Sequence, residues 1–148
     1  MKIVTFCGHS ELSPEELLLA KNRLHIEIER LVEQGATEFL LGGYGNFDLL
    51  AAMTVKKLKS KYPYMKSILV IPYIDKVYDK DLYDCSEYPP IELVPKPYAI
   101  LKRNEYMVKE SDAVIAFVKY SWGGAAKTLT YAQRKKKHII NIANLIDG

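Results

Sequence analysis

Two glycine turns carry the residue types that bind anions. The first is Gly42-Gly43-Tyr44-Gly45, after the apolar run 38–41, and the second is Trp122-Gly123-Gly124, after the apolar run 113–118. Glycine lets a ligand approach the main chain without a Cβ in the way, and the free N–H groups of a following helix attract negative charge. Two such turns in one small chain predict a site for a phosphorylated small molecule, with a nucleotide as the expected ligand.

The second glycine turn is the better candidate for a phosphate cradle. The helix after it has no acidic residue in its first turn, and Lys127 and Thr128 add donors to the main-chain amides. A tight strand-to-helix turn, with Thr128 as an ordinary helical residue, is the alternative interpretation. Trp122 could stack on a base of the ligand, or it could pack against Gly123 and Gly124.

The first glycine turn is followed by Asp48 in the first turn of the next helix. A carboxylate at this position opposes a phosphate, so Gly42, Gly43 and Gly45 are expected to face ribose hydroxyls instead. Asp48 could also assist acid–base chemistry, or it could only complement the helix dipole.

Three further polar residues complete the predicted ligand site. His9, in Gly8-His9-Ser10, follows the first strand, where it could donate to a phosphate, act as an acid or base, or cap a turn. Arg103 suits bidentate phosphate recognition and Asn104 suits base or sugar contacts, although a solvated arginine is the common alternative. Asp48 and His9 are therefore the candidate catalytic residues.

The elements that must position these residues alternate between strand and helix. The sequence Ser13-Pro14-Glu15-Glu16 begins a helix with an N-cap serine, a proline at the first helical position and the glutamate of a capping box. Predicted strands span 2–7, 38–42, 67–71, 113–118 and 139–142, and later helices span about 46–62, 99–110 and 125–136. Such buried, alternating elements predict an α/β three-layer Rossmann-like sandwich with a mainly parallel five-stranded sheet. The ligand then belongs beyond the carboxyl ends of the strands.

Helical periodicity also predicts which side chains form the core. For the first two helices these are Leu17, Leu24, Ile28, Leu31, Leu49, Leu50, Met53 and Leu58. Residues 73–98 break the alternation, because this stretch holds five tyrosines and four prolines without a helical period. It could be a lid, a binding loop or an interface, or a packed, proline-stiffened crossover that replaces a helix.

Length and composition favour one compact domain over residues 1–148, long enough to bury its own core. The net charge of +3 makes nucleic acid an unlikely partner. Cys7 and Cys85 have no metal-type spacing and give no disulfide framework, so a reducing cytoplasmic location is the default. No metal and no cofactor are expected. No apolar run approaches membrane-spanning length. The tyrosine content and small size favour a homo-oligomer.

Several of these motifs, taken in order along the chain, resemble the bacterial SLOG-type proteins. The matching segments are 6–10, 42–48, 71–73, 88–92, 102–108, 111–116 and 122–129. The chain looks like the small, stand-alone branch of that superfamily, whose more distant relatives include the LOG phosphoribohydrolases and the DNA-processing protein DprA. The resemblance implies a Rossmann-like fold with a site for a nucleotide or a nucleotide derivative.

The sequence departs from the LOG pattern where that family carries its chemistry. LOG proteins have a Pro-Gly-Gly-x-Gly-Thr turn with a catalytic glutamate about one helical turn later, whereas this chain has Trp122 for the proline, Ala126 for a glycine, and Thr130 and Tyr131 in place of a carboxylate. Cleavage of an N-glycosidic bond needs a carboxylate or its equivalent. The favoured hypothesis is a binding or sensor protein for a nucleotide-derived, ADP-ribose-like ligand. A glycosidic-bond hydrolase or transferase is the alternative.

Overall fold

The computed structural model describes residues 2–74 and 77–145. Its strands are β1 (Ile3–Gly8), β2 (Glu38–Leu41), β3 (Lys66–Val70), β4 (Cys85–Glu87), β5 (Ala113–Phe117) and β6 (His138–Asn141). Its α-helices are α1 (Pro14–Glu33), α2 (Asn46–Leu58), α3 (Ala99–Glu110) and α4 (Gly124–Arg134), and short 3-10 helices cover Lys96–Tyr98 and Ile142–Leu145. Within the described ranges, none of the helices is long and apolar enough to cross a bilayer.

The strands form one parallel sheet in the order β4-β3-β2-β1-β5-β6. Helices α1 and α2 pack together, as do α3 and α4, and each pair covers one face of the sheet. The predicted three-layer Rossmann-like sandwich is confirmed, but the described part of the sheet has six strands where five were predicted. The extra strand is β4, only three residues long, which pairs with β3 and lacks an apolar run that would reveal it in the sequence.

Helix α1 begins as its sequence predicts. The Glu16 amide donates to the Ser13 hydroxyl at 3.1 Å, and the Ser13 amide donates to the Glu16 carboxylate at 2.9 Å, which completes the capping box. Leu24, Ile28 and Leu31 are fully or almost fully buried beneath this helix. The cap and the apolar stripe therefore fix both the start and the orientation of α1.

Two of the predicted core residues of α2 face solvent instead. Leu49 is 47% exposed and Met53 is 53% exposed, whereas Phe47, Ala51 and Val55 are fully buried. The buried positions recur at intervals of four residues along one face, and Leu49 and Met53 lie on the other. The prediction failed because α2 is apolar on both faces, so periodicity did not show which face is inward.

The tyrosine- and proline-rich segment 73–98 is a packed crossover in its described part. It contributes β4 to the sheet edge, buries Tyr83 and Ile91, and ends in the 3-10 helix that leads into α3. Leu82 and Tyr88 pack against the main core from this segment. Residues 75–76, which belong to the same predicted segment, lie outside the described residues.

Candidate functional site

A cavity of about 510 Å³ lies beyond the carboxyl ends of β1, β2 and β5. The chain proceeds from β1 through β2 and β3 on one side and returns to place β5 on the other side of β1. This reversal leaves a crevice between adjacent loops, the usual ligand position in open α/β sheets. The lining residues are Phe6, Cys7, Gly8, His9, Ser10, Glu11, Gly42, Tyr44, Asp48, Ile100, Arg103, Asn104, Met107, Tyr120, Trp122, Gly123, Gly124, Ala125 and Thr128.

Most of the predicted ligand residues meet at this cavity, and three do not. Gly43, Gly45 and Lys127 are absent from the lining. The side chain of Lys127 instead lines a groove on the outer side of α4, together with Glu105 and Arg134. Lys127 lies one residue before Thr128, which faces inward, and neighbouring positions of a helix point in different directions.

The second glycine turn is open to the cavity. Gly123 has φ +92, which favours glycine, and a Cβ built at Gly123 or Gly124 would meet nothing within 4 Å. No side chain caps the N-terminus of α4, and its first turn contains no acidic residue. The Thr128 hydroxyl donates to the Gly124 carbonyl at 2.9 Å, so its proton is used within the helix. The main-chain amides are therefore the donors that this turn offers.

The first glycine turn is closely packed by contrast. A Cβ at Gly43 would lie 2.7 Å from Leu69 Cδ1, and one at Gly45 would lie 2.6 Å from the Cα of Ser10. Gly8 has the same limitation, because a Cβ there would lie 2.3 Å from the Phe47 ring. Real Cβ atoms essentially never make contacts this short, so a side chain at Gly45 would collide with the Ser10 backbone, and one at Gly43 would require the end of the Leu69 side chain to move.

The Asp48 carboxylate accepts hydrogen bonds from two amide groups of the first glycine turn. Its Oδ1 accepts from the Gly42 amide at 3.2 Å, and its Oδ2 accepts from the Gly43 amide. Burial raises the pKa of Asp48, while these amides and the nearby Arg103 charge act in the opposite direction. The carboxylate thus takes the position that an anionic ligand of this turn would need, and it still borders the cavity.

Arg103 joins three elements at the edge of the cavity. The side chain is almost fully buried, and its Nη1 donates to the carbonyl oxygens of Gly42 at 2.8 Å and Val70 at 2.9 Å. Its Nε donates to the Asn104 side chain at 2.9 Å. Burial lowers the pKa of Arg103, and the Asp48 carboxylate opposes that change. Much of its hydrogen-bonding capacity is therefore used to tie α3 to the ends of β2 and β3.

His9 begins a row of three neighbouring rings, of which the last two are stacked. Its Nε2 accepts from the Lys119 amide at 2.9 Å, which requires a neutral imidazole with the proton on Nδ1. Burial lowers the pKa of His9, Glu16 opposes this, and Lys119 adds to it. The ring lies 4.5 Å from that of Tyr120, which in turn stacks on Trp122 at 4.8 Å and 17°. Trp122 is 68% exposed at the cavity edge.

The sequence analysis missed several lining residues, of which Tyr120 is the most informative. It lies two residues before Trp122, in the loop after β5, and this proximity to the glycine pair was the available signal. Tyr44 lies inside the first glycine turn and was passed over because only its glycines were considered. Cys7, Ile100 and Met107 belong to apolar runs and carry no such signal. Within the described ranges, no group of three or more His, Cys, Asp or Glu residues could hold a metal ion.

The chain has a Rossmann-like α/β fold of the type found in DNA processing protein A. The Helicobacter pylori protein aligns with a TM-score of 0.63 and 19% identity over 97% of this chain and 70% of its own; the description of that structure refers to its single-stranded DNA binding mode. The Streptococcus pneumoniae protein aligns with a TM-score of 0.65 and 19% sequence identity, covering 93% of this chain and 49% of its own. A structure named TM1055 aligns with a TM-score of 0.65 and 17% sequence identity, covering 94% of this chain and 72% of its own.

Sequence comparison gives the family. The chain belongs to the family of YoqJ, an uncharacterized SPbeta prophage-derived protein of Bacillus subtilis, which is 30% identical over 141 residues, covering 80% of this chain and 82% of YoqJ. UPF0398 proteins are also homologues, and that of Bacillus cereus strain G9842 is 23% identical, covering 95% of this chain and 87% of its own. No family model matches the chain.

The structural comparison corrects one prediction. The net charge of +3 was the argument against nucleic acid as a partner. That prediction is wrong, because the chain shares its fold with DNA processing protein A, and the description of the Helicobacter pylori protein refers to single-stranded DNA binding. A modest net charge does not exclude nucleic acid, since binding depends on the local placement of charges and amides.

Proposed function

We propose that the protein binds a nucleotide or an ADP-ribose-like nucleotide derivative in the cavity at the β1/β5 switch point. The observation that carries this proposal is the open N-terminus of α4. Its amides border a cavity of about 510 Å³, and no side chain lies near the positions of added Cβ atoms at Gly123 and Gly124. Helix N-termini with this exposure attract phosphate through the free N–H groups and the helix dipole.

The size and lining of the cavity suit a ligand of this class. Volumes of 300–1,000 Å³ are typical of small-molecule sites. The lining combines aromatic and apolar side chains with a few polar groups, including Asn104 and the Asp48 carboxylate. In this proposal the phosphate lies at α4, and Asp48 faces the sugar, because its negative charge opposes a second phosphate at the first glycine turn. SLOG membership, a homo-oligomer and a cytoplasmic location remain predictions.

The proposal is tested with two isosteric variants at Gly124. Gly124→Asp and Gly124→Asn place side chains of equal size in open space, and only the first adds a negative charge. At ~4 Å and an effective dielectric constant of 20, two unit charges interact by about 4 kcal/mol. We expect Gly124→Asp to weaken AMP or ADP-ribose binding at least about tenfold more than Gly124→Asn, as measured by isothermal titration calorimetry. Equal affinities in the two variants would contradict a phosphate at α4.

A second candidate is binding of single-stranded DNA, which the fold shared with DNA processing protein A favours. An unlabelled oligothymidylate titrated at 50 mM and 200 mM salt separates the two candidates, because contacts to several phosphates make affinity steeply salt-dependent. The enzymatic alternative is tested by incubating the purified protein with nucleotides and analysing the mixture by mass spectrometry. Release of free base that disappears in Asp48→Asn would favour a hydrolase over a binding protein.

A further inference from the structure

We infer that the exposed face of Trp122 is the platform on which the aromatic base of the ligand stacks, so that the cavity selects nucleotides over sugar phosphates. This inference rests on the proposed function and adds a base-recognition position to it. It starts from the row of rings His9, Tyr120 and Trp122 at the cavity edge, and not from the helix N-terminus that carries the proposed phosphate site.

The row of rings is held in place from its inner end. The Lys119 amide donates to His9 Nε2 at 2.9 Å, and the His9 amide donates to the Phe117 carbonyl at 3.3 Å, so the imidazole is anchored to the end of β5. Tyr120 lies between His9 and Trp122, with ring centroids 4.5 Å and 4.8 Å away. Trp122 is thus supported on the side of Tyr120 and needs little reorganisation before a ligand binds.

The outer end of the row is free and close to the proposed phosphate site. Trp122 is 68% exposed, although tryptophan is a large ring that gains most from burial. It directly precedes Gly123 and Gly124, whose surroundings are open. A nucleotide is an elongated ligand with a phosphate at one end and a flat aromatic base at the other. A ligand with its phosphate at α4 can therefore extend its base over Trp122.

The chemistry of the rest of the cavity fits this orientation. Asp48 and Asn104 lie across the cavity on α2 and α3 and offer a carboxylate and an amide. The Asn104 oxygen already accepts from Arg103 Nε at 2.9 Å, which leaves its NH2 group as the available donor. These groups suit the hydroxyls of a ribose between base and phosphate. Apolar stacking on Trp122 tolerates different bases, so the inference specifies an aromatic base and leaves its identity open.

The only tryptophan of the chain makes the test direct. AMP and ribose 5-phosphate are titrated into the protein, with binding measured by calorimetry and the fluorescence of Trp122 recorded separately. We expect AMP to quench the fluorescence and ribose 5-phosphate to leave it nearly unchanged. Trp122→Leu should weaken AMP binding about 5- to 150-fold, the range for loss of one stacked base, while ribose 5-phosphate binding stays the same. Trp122→Phe should retain part of the AMP affinity.

Tyr64→Leu is the matched control, because Tyr64 is also an exposed aromatic residue (57%), packs against Tyr62 at 6.2 Å and is absent from the cavity lining. It should leave AMP affinity unchanged. AMP binding that is equal in wild type and Trp122→Leu, without quenching, would overturn the base platform and leave the proposed function intact. If AMP, ADP-ribose and ribose 5-phosphate all fail to bind, both proposals fail. If only an oligothymidylate quenches Trp122, the platform serves a single strand and the inference for nucleotides is wrong.

Discussion

Arg103 donates a hydrogen bond of 2.8 Å from its Nη1 to the carbonyl oxygen of Gly42. The same nitrogen donates to the Val70 carbonyl, so one buried guanidinium holds the carboxyl ends of β2 and β3 against α3. A Cβ at Gly42 would lie 3.1 Å from Arg103 Cζ, which shows how closely the two groups pack. The shape of the cavity therefore depends on an arginine that the sequence suggested as a phosphate ligand.

Replacement of Arg103 is expected to destabilise the fold. Arg103→Ala removes the donor to two buried carbonyl oxygens and a buried side chain, which together should cost about 2–5 kcal/mol of unfolding free energy. Urea denaturation followed by circular dichroism measures this. Arg134→Ala, at an exposed position, is the control and should change stability by less than about 0.5 kcal/mol. Wild-type stability of Arg103→Ala combined with lost nucleotide binding would instead assign Arg103 to the ligand.

Two glycines of the cavity lining, Gly8 and Gly124, should respond to alanine in opposite ways. Gly8→Ala places a Cβ 2.3 Å from Phe47 Cδ2, and overpacking of this kind costs about 1–3 kcal/mol. Gly124→Ala places its Cβ in open space at the first position of α4, so it should be neutral or stabilise by up to about 1 kcal/mol. Thermal unfolding of both variants checks the prediction, and comparable destabilisation by both would contradict the difference in packing.

Acidification should weaken the hydrogen bond that anchors His9 at the inner end of the row of rings. The pKa of His9 is lowered in the folded protein, so the unfolded chain binds the proton more readily. The contribution of neutral His9 to stability is therefore fully present above its ordinary value of about 6.5 and is lost as the pH falls through the folded value. Unfolding free energies measured between pH 5 and 8 should decline toward acid.

His9→Gln is the control for this pH dependence. Glutamine offers an oxygen acceptor that does not titrate in this range, and Glu16, Lys119 and Tyr120 around it remain. The variant should lose part of the decline between pH 7 and 5. An identical pH profile in wild type and His9→Gln would show that His9 is not its source.

Cys7 is expected to be inert in the folded protein. Burial in β1 raises the pKa of its thiol to about 12, so almost no thiolate exists at neutral pH. Cys85 is only partly buried and should react first with Ellman's reagent. In Cys85→Ser, the remaining thiol should react only at the rate of unfolding. Rapid labelling of that variant in native buffer would indicate that the cavity admits reagent and water to Cys7.

Much of the fold could be predicted from the sequence because local signals agreed with tertiary packing. The capping box of Ser13 and Glu16 and the apolar strands depend on residues that are close together in the sequence, so they can be recognised from the sequence alone. The strand β4 could not be predicted, since its residues lie in β conformation only through pairing with β3. Leu49 and Met53 were misplaced for a related reason, because the burial of α2 is decided by α1 and the sheet.

The candidate site shows the same division. The glycine turns marked the cavity, but their different roles depend on long-range neighbours such as Leu69 beside Gly43. Lys127 carries the right charge on the wrong side of α4. Tyr120 has no motif of its own, and its importance appears only when the rings of His9 and Trp122 lie on either side of it. Residue types in the sequence suggested which chemistry the site could carry out. The three-dimensional contacts determine which of those residues line the cavity.

The central position of β1 also affects how the chain reaches this structure. Val4 pairs with Ala113, so β1 stays unpaired along one edge until the much later strand β5 has emerged from the ribosome. Contacts between residues so far apart in sequence slow the search for the native topology. The segment from β1 to β3 has neighbouring strands that can associate earlier. Late arrival of β5 then fills the free edge of β1 and forms the crevice beside it, before β6 adds the last strand of the described sheet.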